Sequence, residues 1–259
     1  MESEPRLAIR GVSVRFGGVE ALADVSFEVG AGEILGVIGP NGAGKTTLFN
    51  TISGLVRRYE GEIHLDGRPL RGLPPQRIVA HGLARTFQNI RLFKSLTVLD
   101  NVLAGQHRHI VETVLDSALH TPRYHREEAL ATRRALQVLH FVGLGATDPG
   151  ALATSLPYGA QRRLEIARAL AAYPRVLMLD EPAAGLNTGE SWELATMIRR
   201  IRATGLAVML VEHDMRVVMS ICDRIVVLNF GRVIAQGTPA QVRADPAVVA
   251  AYLGDAAQP

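Results

Sequence analysis

A glycine-rich loop near the start of the chain has the composition of a phosphate-binding site. Its sequence is Gly39-Pro40-Asn41-Gly42-Ala43-Gly44-Lys45-Thr46-Thr47. The loop follows the apolar run 34–38, which predicts a strand, and precedes the helix-compatible run 48–52. In such a context the glycines let successive backbone N–H groups point inward, above the positive end of the following helix. The segment therefore predicts a site for the phosphates of a nucleotide.

Two side chains at the end of this loop have separate predicted roles. Lys45 is placed to reach the β- and γ-phosphates, and the hydroxyl of Thr46 is placed to bind Mg²⁺. Lys45 and Lys94 are the only lysines in the chain, which uses arginine at its other basic positions. A compact ammonium fits inside such a loop, whereas a planar guanidinium does not. The alternative, a chance match in a glycine-rich turn, leaves the flanking strand and helix unexplained.

Acidic and histidine side chains follow two later apolar runs, 176–179 and 206–211. Continuous apolar runs are typical of strands covered on both faces in a parallel sheet, whose carboxyl ends hold ligand sites. Asp180 and Glu181 follow the first run, and His213 follows the second. We expect Asp180 to hold Mg²⁺ directly or through water, and Glu181 to orient and deprotonate the attacking water. We expect His213 to contact the γ-phosphate.

Gln88 lies where the predicted sheet gives way to a predicted helical region. Its neutral amide is placed to touch the metal or the lytic water and to transmit a rotation of that region. These polar side chains also have a structural interpretation, since acids at strand ends and single histidines are commonly structural. Their occurrence together with a phosphate loop favours catalysis.

The elements that position these residues alternate between strands and helices. The runs 7–16, 25–29 and 61–65 alternate in polarity, as antiparallel strands do. Segments with helical periodicity lie between the strands that are predicted to be buried, and this alternation indicates a parallel α/β core. Between Gln88 and Leu156, apolar residues recur at helical spacing without a strand candidate, so we expect an inserted helical subdomain.

These patterns predict an α/β core with a mainly parallel sheet, a peripheral antiparallel β-subdomain and an inserted helical subdomain. The predicted boundaries are 7–88 and 157–237 for the core, 89–156 for the helical subdomain and 238–254 for a terminal helix. Thr238 caps that helix and Gly254 ends it. The polar segment 107–125 is expected to form an extended loop or a short helix.

Composition limits the class of protein. The chain has 259 residues, a net charge of +3, 47% hydrophobic and 20% charged residues, which is an ordinary globular composition. A single cysteine, Cys222, excludes an internal disulfide and suggests a reducing compartment. No secretion signal or bilayer-spanning run is apparent, so we expect membrane association only through a partner. The arginine pairs are scattered, and we expect no nucleic-acid partner.

The order and spacing of these motifs resemble those of the nucleotide-binding subunits of ABC transporters, over residues 7–254. The resemblance implies a P-loop NTPase (RecA-like) core, an ATPase activity, and ATP and Mg²⁺ as ligands. It implies that Phe16 stacks on adenine. It also implies that two subunits close head to tail, with each ATP between one phosphate loop and the signature helix of the other subunit.

The signature segment departs from the family pattern. The usual Leu-Ser-Gly-Gly-Gln is replaced here by Leu156-Pro157-Tyr158-Gly159-Ala160, followed by Gln161. Pro157 has neither a hydroxyl nor a backbone N–H, and Tyr158 replaces a glycine that allows close approach. Loss of a hydrogen bond to a charged phosphate costs roughly 1.5–3 kcal/mol, which weakens that composite site about tenfold to a hundredfold. Asn187 also replaces the aspartate that is usual in its loop. We therefore expect a heterodimer with a second, unaltered ATPase subunit.

The altered signature, with the segments 181–187, 211–215 and 251–254, resembles one of the two ATPase subunits of bacterial branched-chain amino-acid importers. The long segment 107–125 also fits that subfamily. The resemblance implies two membrane permease subunits, a periplasmic substrate-binding protein, and a peripheral location on the cytoplasmic face of the inner membrane. We expect the groove between Gln88 and the helical subdomain to receive a cytoplasmic helix of a permease subunit. The transported amino acid is implied by the resemblance alone.

Three alternatives remain at the level of sequence. One is an ABC ATPase that energises transport of a different small solute. Another is an ABC ATPase that acts on nucleic acid, although such proteins typically carry long coiled coils or tandem ATPase units. The third is a small-molecule kinase, which would leave the segment 156–168 without a role.

Overall fold

The computed structural model describes residues 4–106 and 122–255. Most of the polar segment expected at 107–125 lies outside the described residues, and its last residues belong to a helix. Contacts divide the chain into two compact units. The first unit comprises Met1–Arg85 and Arg175–Pro259, and the second unit comprises Thr86–Pro174. The predicted helical subdomain comprised residues 89–156. The second unit is larger, because it also includes the helix Tyr158–Ala171.

The described residues form strands and helices in the following order. The strands are β1 (Leu7–Phe16), β2 (Val19–Val29), β3 (Ile34–Ile38), β4 (Glu60–Leu65), β5 (Arg68–Pro69), β6 (Leu83–Arg85), β7 (Val176–Asp180), β8 (Ala207–Val211), β9 (Arg224–Asn229) and β10 (Arg232–Gly237). The helices are α1 (Lys45–Ile52), α2 (Pro75–His81), α3 (Val98–Gln106), α4 (Pro122–Phe141), α5 (Tyr158–Ala171), α6 (Thr188–Ala203), α7 (Met215–Ile221), α8 (Pro239–Ala244) and α9 (Pro246–Asp255). None of these helices is long and apolar enough to cross a bilayer.

The larger sheet of the first unit has six strands in the order β10-β9-β3-β8-β7-β6. The strands β9, β3, β8, β7 and β6 are parallel, and β10 pairs with β9 in the antiparallel sense. Every residue of β3, β7 and β8 is buried, which explains why these strands are apolar in the sequence apart from Asp180 at the end of β7. The carboxyl ends of β3, β7 and β8 therefore lie at the same edge of the sheet, where ligand sites of open α/β sheets are found.

The smaller sheet of the first unit has four antiparallel strands in the order β2-β1-β4-β5. Buried and exposed residues alternate along much of β2, as the polarity pattern indicates. The apolar side chains of this sheet share a hydrophobic core with β3, α1 and the other buried strands. The predicted α/β architecture, with a parallel-rich and an antiparallel sheet, is confirmed.

The second unit is helical. Its helices α3 and α5 approach so closely that a Cβ atom added to Gly105 would lie 2.2 Å from the backbone oxygen of Arg168. The buried Asn101 fixes the loop before α3, because its amide donates to the carbonyls of Thr97 and Phe93 and accepts the N–H of Phe93. Hydrogen bonds of a buried amide therefore stabilise this unit in addition to its apolar contacts.

The prediction of one terminal helix over 238–254 is wrong. Thr238 caps a helix with Gln241, as expected, but that helix ends at Ala244. Asp245 is extended because proline disfavours helical backbone at the residue before it. The separate helix α9 begins at Pro246. The predicted stop at Gly254 is also displaced, since α9 continues to Asp255.

Candidate functional site

The phosphate loop follows the fully buried β3 and curls around its own lysine. The ammonium of Lys45 donates to the carbonyl oxygens of Gly39 at 2.6 Å and Pro40 at 2.8 Å. Lys45 is the first residue of α1 and only 7% exposed. A positive charge is thus held beside the amino-terminal end of a helix, where an anion gains from both the charge and the helix dipole.

Two glycines let the loop pass close to the neighbouring backbone. A Cβ atom at Gly39 would lie 2.0 Å from the carbonyl oxygen of Leu228, and one at Gly44 would lie 2.7 Å from that of Ala21. Gly44 also has a φ of +101°, a conformation that residues with a Cβ atom rarely adopt. These positions therefore require glycine, and their contacts with β9 and β2 fix the path of the loop.

The loop forms one wall of a cavity of about 380 Å³ in the first unit. The volume lies within the range typical of small-ligand sites. The predicted residues Asn41, Gly42, Ala43, Gly44, Lys45, Thr46 and Thr47 line it, together with Val19, Glu20, Ala21, Phe230 and Gly231. Gly39 and Pro40 are buried behind this wall, where they contact Lys45.

Phe16, the predicted adenine contact, lies beside this cavity rather than in its lining. It pairs with Val19 across the β1–β2 hairpin, and Val19 does line the cavity. Phe16 is 52% exposed, so its ring is accessible. Its role with adenine stays a prediction. The aromatic residue that lines the cavity is Phe230, which lies between β9 and β10.

Glu181 and His213 contact each other at the edge of the parallel sheet. Nε2 of His213 lies 2.8 Å from Oε1 of Glu181, so the tautomer protonated at Nε2 donates to the carboxylate. The side chain of Glu181 is 18% exposed and that of His213 is 47% exposed. The two residues follow neighbouring strands, β7 and β8, as the sequence analysis expected. A carboxylate held in this way can accept a proton from water, while the histidine orients it.

Asp180 makes an ion pair that the sequence analysis missed. Its Oδ2 accepts a hydrogen bond of 2.7 Å from Nη2 of Arg85, and both side chains are nearly buried. The same guanidinium donates to Asn50 and Ser53 at the end of α1. Arg85 therefore links the carboxyl end of β7 to the helix of the phosphate loop. No local pattern signals this pair, because its members are distant in sequence.

Glu212 is a second residue that sequence reasoning overlooked. It is 4% exposed, and its carboxylate accepts the backbone N–H of Ala183 at 2.6 Å and that of His213 at 3.0 Å. These two bonds join the chain after Glu181 to the chain at His213. Burial raises the pKa of Glu212, the charge of Glu181 raises it further, and the backbone N–H donors oppose the change. The sequence does contain a signal for this residue, because Glu212 is a charged residue between an apolar run and His213.

The remaining predicted residues lie in the second unit. The exposed Gln88 accepts a bond from Arg162 through its backbone oxygen at 2.7 Å. Arg162 is fully buried and pairs with Glu165 at 2.9 Å, while the N–H of Arg91 donates to Glu165 at 3.0 Å. Buried charges of this kind are held by pairing. This pair ties the segment around Gln88 to the signature helix α5.

The signature residues form the start of α5. Pro157 is its N-cap residue and provides no side-chain hydrogen bond, and Tyr158 is 46% exposed. Gly159 and Ala160 are buried, and the amide of Gln161 donates to the carbonyl of Leu156 at 2.8 Å. The helix therefore begins without the hydroxyl acceptor that a serine would supply. That the signature residues contact ATP bound to the phosphate loop of another subunit stays a prediction.

The donor set at the site suits Mg²⁺ bound together with a nucleotide. Mg²⁺ is usually held by one or two protein oxygens and completes its shell with phosphates and water. The exposed hydroxyl of Thr46 and the carboxylate of Asp180 are groups of this kind. Within residues 4–106 and 122–255, no cluster of three or more His, Cys, Asp or Glu side chains could hold a metal.

Two family models match the chain. The model described as ABC transporter matches residues 22–184, which is more than half of the chain. The model described as branched-chain amino acid ATP-binding cassette transporter matches residues 232–258.

Curated relatives match over nearly the full length. The chain is 46% identical over 255 residues to the high-affinity branched-chain amino acid transport ATP-binding protein BraF of Pseudomonas aeruginosa, covering 98% of this chain and 100% of that protein. LivG of Salmonella typhimurium, which has the same descriptive name, matches with the same identity and coverage. The lipopolysaccharide export system ATP-binding protein LptB of Acidithiobacillus ferridurans is 40% identical over 232 residues, 90% of each chain.

Solved structures agree with the fold. The ADP conformation of MJ1267, an ATP-binding cassette of an ABC transporter, superimposes with a TM-score of 0.84 at 30% identity, covering 97% of this chain and 100% of that chain. A nucleotide-free ATP-binding cassette from an ABC transporter gives a TM-score of 0.82 at 30% identity, with 96% and 99% coverage.

The buried Glu212 predicts a pH-dependent stability. A carboxyl whose pKa is higher in the folded state stabilises the fold at low pH and loses that contribution as the pH rises. We therefore expect the free energy of unfolding to fall, relative to that of Glu212→Gln, as the pH rises above the ordinary value of 4.5. Chemical denaturation of both proteins between pH 4.5 and neutrality measures this difference. Glu4→Gln, at an exposed position, is the matched control. A difference that is constant with pH, or that grows in favour of the unaltered chain, would contradict the prediction.

Proposed function

This chain belongs to the ABC transporter family of ATP-binding proteins, and we propose that it powers an importer of branched-chain or related amino acids. The observation that carries the catalytic part of the proposal is the Glu181–His213 pair at the same sheet edge as the phosphate loop. The transported solute is proposed from the printed names of the full-length relatives. The export protein LptB supports the alternative that a different solute is transported, but it is less similar to this chain than BraF and LivG are.

In this proposal the phosphate loop binds the β- and γ-phosphates of ATP. The N–H groups at the start of α1 donate to phosphate oxygens, and the ammonium of Lys45 compensates their charge. Mg²⁺ would be held by Thr46 and Asp180, and it would neutralise charge that develops on the phosphates. Arg85 keeps Asp180 in a defined orientation through their ion pair.

Glu181 is the proposed general base. Its carboxylate takes a proton from water, the water oxygen forms a bond to the γ-phosphorus, and the bond from that phosphorus to the bridging oxygen of ADP breaks. His213 orients Glu181 and contacts the γ-phosphate. Glu212 positions both residues through the backbone at Ala183 and His213. A positioned base contributes about 10²- to 10⁴-fold to such a reaction.

The assembly is also part of the proposal. The absence of a side-chain cap at Pro157 supports pairing with a different ATPase subunit whose signature is unaltered. We propose that this heterodimer contacts two membrane permease subunits at the cytoplasmic face of the inner membrane, with a periplasmic protein delivering the solute. The groove beside Gln88 is the proposed docking site for a permease helix.

Glu181→Gln tests the catalytic assignment. We expect ATP affinity to stay within about twofold of the unaltered chain, since the amide keeps the size and polarity of the side chain. We expect turnover to fall by about 100-fold or more, because the amide cannot accept the proton. Equilibrium binding and phosphate release measure the two quantities. Glu62→Gln, on the exposed face of β4, is the control. Normal turnover in Glu181→Gln would refute the assignment of the base.

The heterodimer proposal predicts a difference between assemblies. We expect the ATPase rate per intact site to be about tenfold to a hundredfold higher in a mixed dimer with an unaltered signature than in a dimer of this chain alone. Phosphate release by the two purified assemblies measures it. The double substitution Pro157→Ser and Tyr158→Gly should raise the rate of the homodimer, since it restores the missing donor and the close approach. Equal rates in the homodimer and the mixed dimer would contradict the proposal.

A further inference from the structure

Phe230 lies at the turn between β9 and β10 and lines the same cavity as the phosphate loop. It is 84% exposed, more than any other large hydrophobic side chain among those described for residues 4–106 and 125–252. An exposed phenylalanine adds little to the stability of the core. Its position therefore calls for an explanation outside folding.

The backbone at this position disfavours phenylalanine. Asn229 and Arg232 are paired, so Phe230 and Gly231 form a two-residue hairpin turn. Their φ angles are +45° and +76°, which are the left-handed values of a turn that favours Asn-Gly. Glycine suits its position, whereas a phenylalanine with positive φ is strained. A strained residue that lines a binding cavity indicates function more than folding.

The turn is fixed to the phosphate loop by its backbone. The N–H of Gly231 donates to the carbonyl of Ala43 at 3.0 Å, and the carbonyl of Gly231 accepts the N–H of Ala23 at 2.9 Å. A Cβ atom at Gly231 would lie 2.7 Å from the carbonyl oxygen of Ala21. These contacts hold the backbone that carries Phe230 at a set distance from the loop, on the wall of the cavity.

We propose that Phe230 contacts the nucleoside half of the bound nucleotide. This inference rests on the proposed function, in which the loop binds the phosphates. The N–H groups and Lys45 form the part of the cavity suited to anions, whereas Phe230 and Val19 provide apolar surface in the remaining part. An aromatic face packs on a base or a sugar without reading a particular base edge. The contact therefore adds affinity for ATP and GTP alike.

The experiment compares ATP with inorganic tripolyphosphate, which has the phosphates but no nucleoside. In Phe230→Asn the turn keeps its geometry, because asparagine favours positive φ. We expect the Kd of this variant for ATP, and for GTP, to rise about five- to tenfold, which is the size of an aromatic contact. Its Kd for tripolyphosphate should stay within about twofold, and its melting temperature should equal or exceed that of the unaltered chain. Phe230→Trp, which retains an aromatic face, should bind ATP within about twofold of the unaltered chain.

Trp192→Ala is the matched control, since it removes an exposed aromatic ring on α6 that does not line the cavity. It should leave both Kd values unchanged. Unchanged ATP affinity in Phe230→Asn, or equal weakening of ATP and tripolyphosphate, would overturn the inference while leaving the phosphate loop intact as the binding site. An unaltered chain that binds neither ligand would instead refute the proposed function, and the inference with it.

Discussion

A buried ammonium within a loop of backbone carbonyls and N–H groups is the interaction on which the site depends. Lys45 is held by the carbonyls of Gly39 and Pro40, and the loop can take this path because Gly39 and Gly44 approach the neighbouring strands without side chains. A positive charge that is nearly out of contact with water interacts strongly with an anion brought to the same place. The rest of the first unit serves to hold that charge at the edge of a rigid parallel sheet.

The edge of the sheet combines catalytic and supporting side chains. Glu181 and His213 pair directly, whereas the buried Glu212 accepts the N–H groups of Ala183 and His213. Arg85 supports Asp180 through a buried ion pair. Because the supporting residues are buried and bonded, they restrict the geometry of the residues at the surface. In the second unit, the buried pair of Arg162 and Glu165 has a similar role for the segment of Gln88 and the start of the signature helix.

Much of this arrangement could be predicted from local sequence patterns. The strand, glycine-rich loop and helix around Lys45, and the continuously apolar strands before Glu181 and His213, have periodicities and compositions that depend on few neighbours. The pairing of Arg85 with Asp180 could not be predicted, since it depends on which strands become adjacent in the sheet. The position of Phe230 required the three-dimensional path of a hairpin. The break before Pro246 had a local signal, because proline disfavours helical backbone at the residue before it.

Binding of MgATP to the Lys45→Ala variant tests the central claim most directly. Lys94→Ala is the matched control, since it removes the only other lysine in the chain from an exposed position in the second unit. Calorimetric titration should give a Kd for Lys45→Ala that is at least about tenfold weaker than that of the unaltered chain, because a charge-assisted phosphate contact is lost. Lys94→Ala should bind normally. Equal affinity in all three proteins would contradict the account, since the triphosphate would then bind without the buried ammonium.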